Sequence, residues 1–304
     1  MGFVRPEMGR SINPGGRLMG KKRVLVVTDS TADIPRELRE RHGIRMVPLN
    51  VHFGDEVYKD QVTIQPEEFF TKLKETDLLP RTSQPSPADF AEVYRQGLEE
   101  AEEIVSIHIS AKLSGTLQSA ELGRKMVDGT RIRIVDSRVV SMVLGLAVLE
   151  AARAAEQGAS AEEVLSVVDG CLARTEVYFV VDTLEYLEKN GRIGRAQAFL
   201  GTLLNVKPVL SLGDGLVVPY ERIRGRRRVI PRLVEIAKEK VGGRGPIKMA
   251  VLHGADPEGA AQLEAAVRKE FDVVEGHLGS VGPVVGCHTG PGVLALAFSK
   301  VKGE

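Results

Sequence analysis

Hydroxyl-bearing side chains gather in four short polar stretches of the sequence. The stretches cover residues 29–31, 82–86, 112–116 and 286–292, and the last also contains a histidine. Hydroxyls and an imidazole can together hold a carboxylate or a phosphate. Open α/β sheets bind their ligands at the carboxyl ends of strands, where such polar loops lie. The pattern therefore predicts a site for a small anionic group rather than a set of unrelated turns.

Helix capping competes with ligand binding as the role of two of these stretches. Ser86 stands three residues before Asp89, which predicts a capping box and a structural role for Ser86. The hydroxyls of Thr82 and Ser83 are not used by that cap. Ser114 stands at the start of a predicted helix, so it either caps the helix or helps to hold an anion at its N-terminus.

The histidine of the fourth stretch has the most unusual surroundings. His288 is flanked by Gly286, Gly290, Pro291 and Gly292, which predicts a tight loop rather than a helix. We interpret His288 as a ligand-binding residue because such a loop offers no helix face in which to bury it. In the first stretch, Asp29, Ser30 and Thr31 also fit an ordinary turn with a helix cap.

Composition and motifs exclude several kinds of protein. Lys+Arg and Asp+Glu number 41 each, so the chain lacks the basic excess of a nucleic-acid-coating protein. There is no Walker loop, dinucleotide-binding glycine motif or HExxH zinc motif. Cys171 and Cys287 lie far apart in the sequence, which predicts no metal site and a reduced, cytoplasmic protein. No apolar run reaches the ~20 residues of a membrane-spanning helix.

Alternating strands and helices are predicted to position the polar stretches. Apolar runs at 24–27, 104–109 and 132–135, with helices between them, predict βαβ units and a three-layer α/β/α domain with a parallel sheet. From about 174 onward, six predicted strands, an apparent hairpin around 213–215 and few helices predict a two-layer α/β domain with a mixed six-stranded sheet. We expect a poorly ordered extension at 1–21, domains at 22–173 and 174–304, and a ligand site between the domains.

The same stretches occur in an order that resembles the DegV family. The matching segments include Asp29 to Asp33, Thr82 to Ser86, and Leu113 to Thr116 followed by Ser119 and Ala120. Gly191-Arg192-Ile193, Lys207-Pro208 and His288 to Gly292 complete the pattern. The resemblance extends from about residue 22 to 302. Asn190 departs from it, because the family usually has glycine before Gly-Arg-Ile.

The resemblance implies a non-catalytic protein that binds one long-chain fatty acid (C16–C18), with no cofactor and no metal. It implies that Thr82, Ser114 and His288 hold the carboxylate, with Ser83 and Thr289 as second contacts. It also implies that a separate ATP-binding fatty acid kinase subunit phosphorylates the bound acid, and that the acyl phosphate enters phospholipid synthesis. We expect no nucleic-acid partner and no stable membrane insertion.

Basic residues offer a docking surface for such a kinase. They lie at Arg192 and Arg195 and in a run from Arg222 to Arg232 that includes Arg224. Local positive charge in a neutral protein favours an acidic or phosphate-bearing partner. We assign docking to Arg192, Arg195 and Arg224.

Two other functions remain as alternatives to the carrier. The first is a lipid or ester hydrolase that would use Ser114, His288 and an aspartate such as Asp29. The second is nucleic-acid binding through the arginine run, against which the neutral charge and the absence of tryptophan count.

A carrier of this kind needs an apolar tunnel. The periodicity of the segment after Arg195 predicts a helix at 196–204 that lines the tunnel with Ala198, Phe199, Leu200, Leu203 and Leu204.

Overall fold

The computed structural model describes residues 21–201 and 206–301. The predicted extension at 1–21 thus falls, except for Lys21, outside the described residues. So do Leu203 and Leu204 of the predicted tunnel lining.

The first part of the chain alternates strands and helices around a parallel sheet. Its elements are β1 (Lys22–Asp29), α1 (Arg36–Arg41), β2 (Arg45–Val47), β3 (Asn50–Phe53), β4 (Glu56–Lys59), α2 (Pro66–Glu75), β5 (Arg81–Ser83), α3 (Pro87–Glu100), β6 (Ala101–His108), α4 (Thr116–Lys125), β7 (Ile132–Asp136), α5 (Met142–Glu156) and α6 (Ala161–Arg174).

Four parallel strands form the predicted central layer, in the order β2-β1-β6-β7. Helices α3 and α4 cover one face, where Phe90, Tyr94 and Ala120 pack against strand residues such as Ile104. Helices α5 and α6 cover the other face. The runs of apolar residues in β1 and β6 are explained by this burial on both faces.

The second part of the chain is built around a mixed sheet. Its elements are β8 (Thr175–Val180), α7 (Glu185–Lys189), β9 (Val206–Gly213), β10 (Leu216–Arg224), α8 (Val229–Val241), β11 (Pro246–His253), α9 (Pro257–Glu270), β12 (Asp272–Ser280), α10 (Pro283–Thr289) and β13 (Leu294–Lys300).

These six strands lie in the order β10-β9-β8-β13-β11-β12, and only β11 and β12 pair in parallel. Helices α8 and α9 cover the outer face of this sheet. The inner face packs against α5 and α6 of the first part. Both predicted sheet types, parallel and mixed six-stranded, are therefore confirmed. The chain passes from the first part to the second between α6 and β8, and we keep 22–173 and 174–304 as proposed domains.

A small antiparallel sheet, in the order β4-β3-β5, was not predicted from the sequence. Its strands have only three or four residues, and β5 consists of Arg81, Thr82 and Ser83, which carry no hydrophobic alternation. Thr82 pairs with Val51 of β3, which fixes the direction of its side chain.

Two local expectations from the sequence were wrong. A 3-10 helix at Gly194–Phe199 replaces the predicted helix at 196–204. His288 lies in helix α10, not in a loop. Pro283 occupies the first turn of this helix, and Gly290 ends it with a φ of 71°, so the proline and glycine bracket a short helix instead of forming one continuous turn.

Candidate functional site

A largely apolar central cavity of about 110 Å³ lies between the two parts of the chain. Its walls come from β5, α5 and the 109–114 segment on one side, and from the inner face of the six-stranded sheet and α10 on the other. Its polar side chains are few: Thr31, Thr82, Ser83, Gln84, Ser114, Ser141, Arg192, His288 and Thr289. A concave, mainly apolar space with a few polar groups is typical of a small-molecule site.

A hydrogen bond between the two parts of the chain lies in this wall. Thr82 Oγ1 of β5 and His288 Nε2 of α10 are 2.9 Å apart. The other ring nitrogen of His288, Nδ1, is buried without a hydrogen-bond partner among the described residues. Burial, together with the positive charge of Arg192, lowers the pKa of His288 to about 3, so the imidazole is neutral at physiological pH.

Ser114 and Arg192 lie in the same wall. Ser114 Oγ is 2.8 Å from Thr116 Oγ1 and accepts a bond from the Thr116 backbone N–H at 3.3 Å, so it supports the first turn of α4. Arg192 Nε donates to the Leu113 carbonyl at 3.1 Å, and its Nη1 donates to the Asn190 carbonyl at 2.8 Å. The guanidinium is thus fixed next to the 113–114 segment.

Gln84 closes the space between β5 and the start of α4. A Cβ placed on Gly115 would be only 2.8 Å from Gln84 Nε2, so glycine is needed for this close approach. Sequence reasoning missed Gln84 and missed Arg192 as a cavity residue. Both stand inside motif segments, beside Ser83 and Gly191, and that proximity was the available signal.

The hydroxyls of Ser83 and Thr289 already have protein partners. Ser83 Oγ is 2.9 Å from His52 Nε2 and accepts from Asn50 Nδ2 at 3.1 Å, on the opposite side of the small sheet from Thr82. Thr289 Oγ1 donates to the Val285 carbonyl within α10. Both residues border the cavity, but these hydroxyls are oriented by other contacts.

Comparisons with known proteins agree with this architecture. The family model described as uncharacterised protein, DegV family, matches residues 23–301. A DegV domain-containing protein of Streptomyces coelicolor is 40% identical over 280 residues, which cover 91% of this chain and 99% of that protein. The chain belongs to the DegV family.

Solved DegV structures share the fold. A DegV family protein from Thermus thermophilus, described by its fatty acid binding, has a TM-score of 0.87 and 42% identity, covering 92% of this chain and 100% of that one. DegV from Bacillus subtilis, described as a fatty acid binding protein, has a TM-score of 0.84 and 35% identity, with 92% and 100% covered. A stearic acid-binding protein from Eubacterium ventriosum has a TM-score of 0.81 and 28% identity, with 92% and 98% covered.

The hydrolase alternative requires a contact that this DegV chain lacks. Asp29 accepts bonds from His108 Nδ1 and the Ile109 backbone N–H, both at 3.0 Å, and does not bond to His288. The nearest hydroxyl partner of Ser114 is Thr116, and His288 bonds to Thr82. The arrangement therefore contains no serine–histidine–aspartate triad at these positions, and the hydrolase is not favoured.

Two buried carboxyl groups support the helix that carries His288. Asp33 Oδ1 accepts from the Gly282 backbone N–H at 3.0 Å, and Asp60 Oδ1 accepts from that of Val284 at 3.4 Å, at the start of α10. Asp60 Oδ2 has no partner among the described residues. Burial raises the pKa of Asp60 to about 7 and raises that of Asp33 well above its ordinary value.

The predicted docking arginines fall into two groups. Arg195 and Arg224 are exposed, whereas Arg192 is half-buried in the cavity wall. Within the longer run, Arg226 pairs with Asp182 and Asp256, and Arg232 pairs with three glutamates. The run is therefore not a continuous patch of unpaired charge.

The expected tunnel lining at 198–200 was wrong. Ala198 is exposed. Phe199 lies under the Arg222 guanidinium, whose central carbon is 4.4 Å from the centroid of the Phe199 ring. The cavity is instead lined by α5, α10 and alternate residues of the six-stranded sheet. In the described residues, no helix is long and apolar enough to cross a membrane, and no histidine, cysteine and carboxylate cluster could hold a metal ion.

Proposed function

We propose that this protein binds one long-chain fatty acid of C16–C18, with its carboxylate near Thr82, Ser114 and His288 and its acyl chain in the central cavity. The observation that carries the proposal is a mainly apolar cavity whose wall contains a hydroxyl held by a neutral histidine. The ligands in the descriptions of the DegV structures support the same ligand class.

The polarity of the Thr82–His288 bond suits a carboxylate. A carboxylate only accepts hydrogen bonds, so Thr82 must donate its proton to the ligand. His288 then carries its proton on Nε2 and donates it to Thr82 Oγ1, which leaves Nδ1 as an unpaired acceptor. Because its pKa is about 3, His288 acts as a neutral positioning group.

Arg192 complements these groups by charge. A carboxylate transferred from water into a buried site loses several kcal/mol unless it is hydrogen-bonded and compensated. Arg192 borders the same cavity and is close enough to His288 to lower its pKa. Its positive charge therefore favours the ionised form of the bound acid over the protonated form.

Burial of the acyl chain supplies most of the affinity. At ~0.8 kcal/mol per buried CH₂, a sixteen-carbon acid gains about 10 kcal/mol or more before the costs of binding. We expect the lipid to remain bound through purification.

We further propose that the protein is the non-catalytic member of a fatty acid kinase system. Phosphoryl transfer to the carboxylate requires nucleotide and Mg²⁺ contacts, which a separate ATP-binding subunit would supply. Arg195 and Arg224 are the exposed residues assigned to docking with that subunit. The acyl phosphate would then serve phospholipid synthesis.

Binding by delipidated protein tests the site. Ser114→Ala and His288→Ala should each lose about 1–3 kcal/mol of palmitate affinity, because donors to the carboxylate are removed or misplaced. Thr63→Ala, on an exposed turn, is the matched control. Equal palmitate affinity in all four proteins would show that the carboxylate lies elsewhere.

A further inference from the structure

A second cavity lies beyond the central cavity and has a different chemical lining. This rear cavity has a volume of about 170 Å³ and is bordered by Leu146, Glu150, Cys171, Arg174, Lys248, Ser299, Lys300 and Val301. Three structural elements that line the central cavity continue into it.

The six-stranded sheet passes under both cavities. Ala295, Ala297 and Ser299 are alternate residues of β13, so their side chains share the inner face of the sheet. The cross-strand partners of Ala295 are Leu252 and Phe179, and those of Ala297 are Ala250 and Val177.

The next row of the same face is polar. Ser299 is flanked by Lys248 of β11 and Thr175 of β8. Rows of one face are ~6.6 Å apart along a strand. The inner face of the sheet thus changes from apolar side chains to hydroxyl and ammonium groups within two residues of β13. This change separates the lining of the central cavity from that of the rear cavity.

The side chains of helix α5 also change from apolar to charged between the central cavity and the rear cavity. Met142 and Val143 border the central cavity, whereas Leu146 and Glu150 border the rear cavity. Spacings of three and four residues place Val143, Leu146 and Glu150 on one side of the helix. Both cavities therefore border the space between α5 and the sheet, and Leu146 of the rear cavity lies about one helical turn beyond Val143 of the central cavity.

The distance along β13 corresponds to much of an acyl chain. Val293, Ala295 and Ala297 all border the central cavity, and four residues of strand span ~13 Å. A strand rises ~3.3 Å per residue, and each residue contributes three backbone bonds, so an extended chain advances ~1.1 Å per bond. By the same measure, ~13 Å accommodates about eleven or twelve C–C bonds of an acyl chain. Val293 follows α10 closely, so the carboxylate end lies near Val293 and the far end near Ala297.

Polar groups in the rear cavity have capacity for a ligand. Ser299 is 2% exposed, and it borders the rear cavity. Arg174 forms no ion pair within 21–201 and 206–301. Lys248 already pairs with Glu150 and with Glu275, the latter at 3.1 Å.

We propose that the rear cavity is a polar site for the far end of the acyl chain. It disfavours the methyl end of a chain long enough to reach Ser299, and it accepts a long-chain acid with a hydroxyl at that end. This inference rests on the proposed fatty acid binding. A terminal hydroxyl suits this mixed lining because it can accept a hydrogen bond from Arg174 or Lys248 and donate one to Glu150 or Ser299.

A comparison of two ligand series tests the inference. Full-length delipidated protein is titrated with saturated acids from C14 to C22 and with their ω-hydroxy counterparts. We expect affinity for the plain acids to fall at the length where the methyl group reaches Ser299. At that length the ω-hydroxy acid should bind about two- to tenfold more tightly than the plain acid, the usual net effect of one hydrogen bond.

Two variants assign the effect to the rear cavity. Ser299→Val should abolish most of the ω-hydroxy preference and leave palmitate affinity unchanged. Ser211→Val, in the same sheet but on the outer face with Tyr178, should retain that preference. If palmitate binds but the two series decline together, or if both variants behave alike, this inference is wrong and the proposed function stands. If palmitate does not bind, the proposed function is wrong.

Discussion

Replacement of Thr82 by valine isolates the hydroxyl on which the proposed carboxylate site depends. Valine has nearly the same shape as threonine and suits the short strand β5, so the change removes a donor with little loss of packing. Two interactions are lost in the variant. The ligand loses the Thr82 donor, and His288 Nε2 loses its partner at 2.9 Å.

The magnitude follows from the burial of both groups. An under-satisfied buried donor or acceptor costs about 1–3 kcal/mol, and more where one partner is charged. We therefore expect Thr82→Val to bind palmitate about 5- to 150-fold more weakly than the parent protein. The apolar cavity is unchanged, so the variant should still bind an uncharged analogue such as palmityl alcohol with an affinity close to that of the parent.

Calorimetric titration of delipidated protein measures this change. Thr71→Val is the matched control, because the Thr71 hydroxyl bonds to the Glu67 carbonyl on an exposed helix face. A melting curve of each ligand-free variant separates loss of binding from loss of folding. Parent-like palmitate affinity in folded Thr82→Val would refute the role of this hydroxyl.

Further predictions concern pH, docking and reactivity. Because the pKa of Asp60 is about 7 in the folded protein and 3.8 in the unfolded chain, folding retains a proton between these values, and the unfolding free energy falls as pH rises through this range. Between pH 4 and 8, the unfolding free energy of Asp60→Asn should rise by up to about 4 kcal/mol relative to that of the parent, seen as a rise in relative melting temperature. Parallel curves of melting temperature against pH for the two proteins would contradict this. Arg195→Ala and Arg224→Ala should slow acyl-phosphate formation with the kinase subunit while palmitate affinity is retained. The control variant Arg95→Ala should change neither quantity. Parent rates of acyl-phosphate formation in both docking variants would refute the docking assignment. Ser114 should remain unlabelled by a fluorophosphonate probe in mass spectrometry, and stoichiometric labelling would restore the hydrolase.

Much of the fold could be predicted because the strongest signals are local. Continuous apolar runs such as 24–27 mark strands buried on both faces, and the capping box of Ser86 and Asp89 forms as expected. The small sheet escaped prediction because its strands have only three or four residues and β5 carries no hydrophobic alternation. Helix α10 escaped because Gly286 and Gly290 favour a turn, whereas the packing of Gly286 against Phe69 and Phe70 buries it as a helix.

The residue types of the candidate site could be predicted from the sequence, but the directions of their side chains could not. Thr82, Ser114 and His288 all border one cavity, and their role in holding a carboxylate stays a prediction. Sequence spacing could not show that the Ser83 hydroxyl lies on the opposite face of β5, because β5 was not recognised as a strand. Nor could it show that Arg192 is directed into the cavity by the Leu113 carbonyl, since that contact joins residues 79 positions apart.

Native mass spectrometry of the purified protein, together with lipid analysis of its denatured extract, is the decisive test of fatty acid binding. We expect one adduct per chain, identified in the extract as a C16–C18 fatty acid, and its return when palmitate is added to delipidated protein. An unliganded mass that stays unchanged after addition of palmitate or oleate would contradict the proposed fatty acid binding.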